Sequence, residues 1–120
     1  MSEQAWYGVD LDGTLAEYDH WVSINHIGKP VPKMVDRVKK MLLEGKRVKI
    51  FTARVSGDIG EAELAKKYIK KWCREHIGQE LEVTNIKDFG MVNLYDNRVT
   101  QVIINTGEIV VKEKTDEFRD

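Results

Sequence analysis

The sequence predicts an α/β protein with a three-layer, Rossmann-like fold, in which a mostly parallel sheet carries helices on both faces. Two observations lead to this class. Short apolar segments of strand character alternate with longer segments whose apolar residues recur every three to four positions, the period of an amphipathic helix. A chain of 120 residues without a repeat or an interdomain linker is also long enough for one hydrophobic core. Such alternation is typical of parallel strands joined by helical crossovers.

Five segments have the length and composition of strands. They cover residues 6–10, 48–51, 81–84, 91–95 and 102–105. Residues 108–111 are expected to return on the fifth strand through a turn at Thr106 and Gly107.

Two further segments each carry one apolar face and are predicted to be helices. The apolar face is formed in residues 33–44 by Met34, Val35, Val38, Met41 and Leu42, and in residues 61–77 by Leu64, Ala65, Tyr68, Ile69, Trp72 and Cys73. Pro32 suits the first turn of the first helix, and Asp58 is a candidate N-cap of the second. Gly45 and Gly78 follow the expected helix ends.

The chain is predicted to form a single domain over residues 1–111, followed by a charged tail at 112–120. Residues 16–32 show no periodicity and are expected to form a loop or a small flap. The net charge of −1 gives no general attraction to nucleic acid or to an anionic membrane. The sequence contains no apolar run of membrane-spanning length and does not begin like a signal peptide. We therefore expect a cytoplasmic protein with no membrane partner.

The strongest functional signal lies at the end of the first predicted strand, where Asp10 and Asp12 are followed by Gly13 and Thr14. In an extended chain, side chains two residues apart point to the same side, about 6.5–7 Å apart. Two like charges at that separation are unfavourable unless a partner such as a divalent cation neutralises them. The pair therefore predicts a metal site used in phosphate chemistry, with Gly13 allowing the backbone to approach the phosphate closely.

Polar side chains also follow the other predicted strands. Thr52 follows the second strand, Lys87 lies just beyond the third, and Asp96 follows the fourth. Because the carboxyl ends of parallel strands share one edge of the sheet, these groups are expected to converge with Asp10 and Asp12. The set suits phosphoryl transfer, in which one carboxylate attacks phosphorus and a second serves as acid and then as base. Mg²⁺ and hydrogen-bond donors would stabilise the phosphoryl oxygens.

At these residues the chain resembles the haloacid dehalogenase-like (HAD) phosphohydrolase superfamily. The matching positions are the DxDGT motif at residues 10–14, the second-motif Thr at Thr52, the third-motif Lys at Lys87 and the fourth-motif acid at Asp96. The match spans about residues 6–98. The interval between the first strand and the first helix is too short for a cap domain, so the chain looks like a small capless member.

The resemblance implies a Mg²⁺-dependent phosphatase that hydrolyses a phosphomonoester through an aspartyl-phosphate intermediate. It implies that Asp10 is the nucleophile and a metal ligand, that Asp12 is the general acid/base and a metal ligand through its backbone carbonyl, and that Asp96 also binds the metal. Thr52 and Lys87 would hold the phosphoryl oxygens. Gly13, Ala53 and Arg54 are expected to contact the substrate, although Arg54 could instead pair with Asp58 or Glu61.

One departure from the family pattern keeps a second function open. The fourth motif usually supplies two acids, whereas this chain has Asn97 after Asp96. A weakened site, or a non-catalytic binding or assembly module on the same fold, is therefore an alternative. A signalling receiver domain is disfavoured because the predicted third strand does not end in an acid.

An open site fits either a small phosphorylated molecule or the phosphorylated end of a macromolecule. Among macromolecules, nucleic acid is a possible partner with weak support from the sequence. A neighbouring subunit in a homo-oligomer would be another way to close the site. On the flap, Tyr18 and Trp21 either pack onto the core or stack on a base.

Overall fold

The structure, a computed structural model, describes residues 4–111, and the predicted tail at 112–120 lies outside the described residues. In chain order the elements are β1 (Trp6–Asp10), α1 (Pro32–Leu43), β2 (Val48–Phe51), α2 (Ile59–His76), β3 (Glu82–Thr84) and β4 (Met91–Tyr95), with a 3₁₀ turn at Ala53–Val55. The predicted bounds of β1, β2 and β4 are confirmed, and both helices begin and end within two residues of their expected positions.

The four strands form one parallel sheet in the order β3-β2-β1-β4. Strand β1 lies inside the sheet and pairs with β2 on one side and with β4 on the other. The carboxyl ends of all four strands consequently point to the same edge. This is the edge at which ligands bind in open α/β sheets.

Both helices pack on one face of the sheet. Val9 pairs with Ile50, and Ile50 pairs with Val83, so their side chains share a face. All three belong to one core cluster with Val38 of α1 and Ile69 of α2. The steps from β1 to β2 and from β2 to β3 run in the same direction, so right-handed crossovers place both helices on the same side.

Within residues 4–111 the opposite face of the sheet carries no helix. Gly8 pairs with Lys49 and Leu94, and the Lys49 ammonium lies 4.4 Å from the centroid of the Trp6 ring. Only residues 85–90 connect β3 to β4, whereas a helical crossover needs about a dozen residues. The described range is therefore an α/β fold with one helical layer, although the alternation of elements predicts helices on both faces.

The local sequence explains both helices. Pro32 is the first residue of α1. The Asp58 side chain caps α2 by accepting a hydrogen bond from the Glu61 backbone N–H at 2.8 Å, as predicted. Leu64 departs from the predicted buried face of α2, since it is 42% exposed. Among the described residues, neither helix combines the length and the apolar character needed to cross a membrane.

Residues 17–29 contain no helix or strand and form the expected flap. Its two ends are joined by a hydrogen bond from the Glu17 N–H to the Lys29 carbonyl at 2.8 Å. The indole N–H of Trp72, on α2, donates to the Gly28 carbonyl at 3.0 Å. A Cβ at Gly28 would lie 2.0 Å from the Glu17 carbonyl oxygen, so only glycine fits this closure. The flap is therefore a closed loop fixed to the helical layer.

The prediction of a fifth strand at residues 102–105 is wrong. Residues 102–105 are not part of the sheet; a single antiparallel bridge joins Val102 to Ile109, with the Ile103 N–H donating to the Glu108 carbonyl at 2.8 Å. Ile104 is 81% exposed. A run of β-branched residues indicates a strand only where a neighbouring strand or a core receives it. Here the chain pairs with itself in a small hairpin.

Candidate active site

A cleft of about 750 Å³ opens at the carboxyl ends of the strands, a volume typical of small-molecule sites. The predicted site residues that line it are Asp10, Asp12, Thr52, Ala53, Arg54 and Asp96. The other lining residues are Tyr18, Trp21, Ile24, Phe51, Ser56, Gly57, Glu61, Asn97 and Arg98. Strand ends, the 3₁₀ turn, α2 and the flap all contribute to the wall.

Asp10 is the last residue of β1 and is half-buried in this cleft. The pKa of its carboxyl group is raised to about 7, chiefly by burial and to a smaller extent by the charges of Asp96 and Asp12. The Thr14 hydroxyl opposes the shift by donating to Asp10 Oδ2 at 3.2 Å. The influence of Asp96 means that carboxylates from β1 and from the end of β4 face the same space. A cation placed between them would favour the ionised form of both.

Asp12 is held by a two-pronged ion pair that the sequence did not reveal. The Nε and Nη2 atoms of Arg54 lie 2.7 and 2.9 Å from the two carboxylate oxygens of Asp12. The Arg54 side chain is only 5% exposed and that of Asp12 is 21% exposed. Pairing of Arg54 with Asp58 or Glu61 is therefore wrong. The guanidinium contacts Asp12 while also lining the cleft.

The same guanidinium group fixes the flap. Its Nη1 and Nη2 atoms donate to the backbone carbonyls of Ile24 and His26 at 3.4 and 2.9 Å. The indole ring of Trp21 covers it, with the guanidinium carbon 4.9 Å from the ring centroid. Arg54 thus connects Asp12 at the end of β1 to three residues of the flap. The flap's position and the orientation of the Asp12 carboxylate depend on the same side chain.

Thr52 follows β2 and is 3% exposed. Its Oγ1 accepts a hydrogen bond from the Arg54 backbone N–H at 3.1 Å and so caps the 3₁₀ turn. A hydroxyl group that accepts a bond still has its own hydrogen to donate. Thr52 therefore has the geometry of a cap and remains able to donate to a ligand in the cleft. Ala53, which follows it, lines the cleft beside it.

Gly13 is explained by backbone geometry and by a neighbour. Its φ of +91° is in the region that favours glycine, and a Cβ there would lie 2.7 Å from the side-chain nitrogen of Asn97. The Asn97 N–H donates to the Thr14 hydroxyl at 3.1 Å. Asn97 and Thr14 therefore tie the segment after β4 to the segment after β1. Gly13 is not among the cleft-lining residues, so its predicted contact with the substrate has no counterpart here.

Lys87 lies on the exposed loop between β3 and β4 and does not line the cleft. The course of this loop is set by its neighbour Asp88. The carboxylate of Asp88 accepts hydrogen bonds from the Trp6 indole and from the Gly90 N–H, both at 2.8 Å. The structure thus brings together four of the five predicted catalytic and metal-binding side chains and leaves Lys87 apart.

The described residues contain no group of three His, Cys, Asp or Glu side chains arranged to hold a metal ion. The predicted ligand set does not need one, because it combines two carboxylates with the backbone carbonyl of Asp12. Mg²⁺ is commonly bound by one or two carboxylates, with waters and phosphate oxygens completing its shell. The Asp10 and Asp96 carboxylates, whose like charges meet in one cleft, fit that pattern.

Two aromatic side chains are prominent in the cleft although no motif marks them. Tyr18 is 48% exposed and Trp21 is 53% exposed, and both line the wall on the flap side. The sequence leaves open whether they pack onto the core or face a ligand. Their large exposure within the cleft favours contact with a ligand. The sequence shows only that the flap contains these two aromatic residues, and this does not determine which way their side chains point.

No protein-family model matches the chain, and no curated protein matches it. A solved structure, that of a conserved protein coded by a locus from Bacteroides thetaiotaomicron, is similar to it with a TM-score of 0.56. The two are 24% identical over 78% of this chain and 75% of that one. At this identity the similarity supports the α/β fold alone.

Proposed function

We propose that this protein is a Mg²⁺-dependent phosphatase of the HAD-like superfamily that hydrolyses a phosphomonoester. The observation that carries the proposal is the meeting of Asp10 and Asp96 in one cleft. Asp10 ends β1 and Asp96 follows β4, 86 residues later in the sequence, and the charge of Asp96 raises the pKa of Asp10. Arrangements in which like charges are held together are typical of functional sites.

In the proposed reaction, a carboxylate oxygen of Asp10 attacks phosphorus, and the bond between phosphorus and the ester oxygen breaks. The leaving oxygen takes a proton from Asp12. Water then attacks the phosphorus of the aspartyl phosphate and gives a proton to Asp12, which releases inorganic phosphate and restores Asp10. The cycle starts with Asp12 protonated on a lone pair that its contact with Arg54 leaves free, and the proton that water gives up in the second step restores this state.

The proposed Mg²⁺ ligands are the carboxylates of Asp10 and Asp96 and the backbone carbonyl of Asp12. When bound, the ion neutralises their charge and that of the phosphoryl oxygens. Thr52 supplies a hydroxyl donor to the phosphoryl group. Asn97 contributes no charge, and its contacts with Thr14 give it the role of holding the ends of β1 and β4 together.

The family assignment rests on the first, second and fourth motifs. The residues proposed for these motifs end or follow three adjacent strands, β2, β1 and β4, and they line one cleft except for Gly13 and Thr14. We propose that residues 16–32 take the place of the family's cap domain and that the chain represents a capless form of the family's core. The third motif supports the assignment least, because Lys87 lies outside the cleft.

The test is hydrolysis of an aryl phosphate by the purified protein with and without Mg²⁺. We expect turnover that requires the metal, and a loss of at least about 10³-fold in Asp10→Asn, which lacks the nucleophile. Asp36→Asn is the matched control, since Asp36 is an exposed residue of α1 outside the cleft. Equal activity of Asp10→Asn and Asp36→Asn would contradict the mechanism. No turnover in the wild type would favour a non-catalytic module.

A further inference from the structure

Trp21 is a large aromatic residue left half open in the cleft. Its ring rests on the Arg54 guanidinium, yet the side chain is still 53% exposed. Trp6 and Trp72, by contrast, are only 1% and 5% exposed. An indole that has one neighbour fixed against it and much of its surface uncovered provides a stacking platform for a second flat group.

The platform is rigid relative to the proposed reaction centre. Arg54 is 5% exposed and its guanidinium contacts both oxygens of Asp12 and two flap carbonyls. The Arg54 guanidinium therefore contacts both the Trp21 ring and the Asp12 carboxylate. Trp21 and Asp10 line the same cleft, so a ligand whose phosphate reaches Asp10 can extend toward the Trp21 ring.

The rest of the cleft suits a leaving group larger than a phosphate. A volume of about 750 Å³ far exceeds what one phosphate fills, and Tyr18, Ile24 and Phe51 add apolar surface. Tyr18 is 48% exposed and provides a second aromatic ring on the same side. Glu61 and Arg98 supply polar groups that can hydrogen-bond to the edge of a ring.

We propose that the substrate is a free mononucleotide, whose base stacks on Trp21 while its phosphate lies at Asp10. This inference rests on the proposed phosphatase and names its substrate class. A polynucleotide end is disfavoured because binding a nucleic-acid backbone requires a groove of positive charge. The charged side chains that line the cleft are Asp10, Asp12, Glu61, Asp96, Arg54 and Arg98, so acids outnumber bases and Arg54 is already paired.

The experiment measures binding to Asp10→Asn, which cannot turn the substrate over, by calorimetry in the presence of Mg²⁺. The probes are a 5′-mononucleotide, ribose 5-phosphate, pyridoxal 5′-phosphate and a 5′-phosphorylated oligonucleotide. Because one stacked base strengthens binding by about tenfold or more, the mononucleotide should bind at least tenfold more tightly than ribose 5-phosphate. Adding Trp21→Ala should reduce this ratio to near one, and Trp21→Phe should keep most of it. Val22→Ala, a flap residue outside the cleft, is the matched control and should leave the ratio unchanged.

Fluorescence gives an independent readout, because Trp21 is the exposed one of the three tryptophans. The mononucleotide should quench tryptophan emission in Asp10→Asn, and the added Trp21→Phe substitution should abolish the quenching. A ratio near one in Asp10→Asn, or a ratio unaffected by Trp21→Ala, would overturn the proposal. Tighter binding of pyridoxal 5′-phosphate or of the oligonucleotide would also overturn it.

The failure of the substrate proposal and that of the proposed phosphatase are distinguishable. Turnover of an aryl phosphate without a preference for the mononucleotide would leave the phosphatase standing and remove the stacking site. Binding of the mononucleotide that depends on Trp21, in a protein that hydrolyses no phosphomonoester, would leave the stacking site standing and remove the phosphatase.

Discussion

The two halves of the predicted site differ in how firmly their side chains are held, and we call them the firm half and the loose half. In the half built on β1 and β2, Thr14 donates to Asp10, and Arg54 binds both oxygens of Asp12. In the loose half, beyond β3 and β4, Lys87 is exposed on a loop outside the cleft, and Asp96 accepts a hydrogen bond from the Arg98 N–H of its own turn. The sheet and the flap fix the first half, whereas local turn geometry fixes the second. Preorganised chemistry is therefore expected at β1 and β2.

The largest expected effect comes from breaking the firm half with Arg54→Ala. Removing one partner of a mostly buried ion pair leaves the Asp12 charge without its partner and typically costs about 3 kcal/mol or more of the free energy of unfolding. The flap also loses the donors to Ile24 and His26. We expect a loss in aryl phosphate turnover of at least about 100-fold, since Asp12 is no longer oriented.

Urea unfolding and steady-state kinetics would measure these effects. Arg54→Lys keeps the charge but cannot form the two-pronged contact, so it should recover part of the stability and little of the activity. Wild-type turnover in Arg54→Lys would mean that the orientation of Asp12 does not matter. The firmer hold on the side chains of β1 and β2 would then make no difference to activity.

A second, smaller effect tests the link between the halves, because Asp96 is one cause of the raised pKa of Asp10. With a folded-state pKa near 7 and an unfolded value near 3.8, Asp10 binds a proton on folding between those pH values. The free energy of unfolding without Mg²⁺ should therefore fall as pH rises from about 4 to 7. For a half-buried group we expect about 2 kcal/mol after discounting for solvent screening.

Asp10→Asn cannot ionise, so it should flatten this slope and unfold at a higher urea concentration than the wild type at pH 8. Saturating Mg²⁺ should stabilise the wild type at pH 8 and have much less effect on the variant. Asp96→Asn should lower the slope in part. A slope in Asp96→Asn as steep as that of the wild type would show that the two carboxylates are not close enough to interact.

The sequence predicted the side chains at the strand ends better than the one on a loop, for a physical reason. Apolar periodicity locates strands, and the parallel arrangement then brings Asp10, Thr52 and Asp96 to one edge whatever the details of their surroundings. Lys87 sits on a loop, and the loop's course is set by the Asp88 contact with Trp6, which spans 82 residues. The order of the motifs along the sequence does not show where this contact places the loop.

Arg54 shows a different limit of sequence analysis. Its candidate partners were a substrate phosphate and the nearby acids Asp58 and Glu61, whereas its partner is Asp12, 42 residues away. The contact follows from the register that pairs Asp10 of β1 with Phe51 of β2, because this register brings the residues that follow the two strands close together. At Arg54 the sequence missed a contact that exists, whereas in the exposed hairpin after β4 it predicted a strand that is not part of the sheet, because the segment is rich in β-branched residues.

The smallest expected effect, that of Lys87→Ala, sharpens the comparison most. If Lys87 does not contribute to the transition state, turnover should change by less than about threefold, and the free energy of unfolding should change by no more than about 0.5 kcal/mol because Lys87 is exposed. Lys29→Ala, at an exposed flap residue outside the cleft, controls for the loss of one positive charge. A drop in kcat as large as that of Arg54→Ala, seen in Lys87→Ala but not in Lys29→Ala, would mean that the 85–90 loop moves to the cleft during turnover. The firm half would then be in place before the substrate binds, and Lys87 of the loose half would reach the phosphoryl group only after the substrate binds.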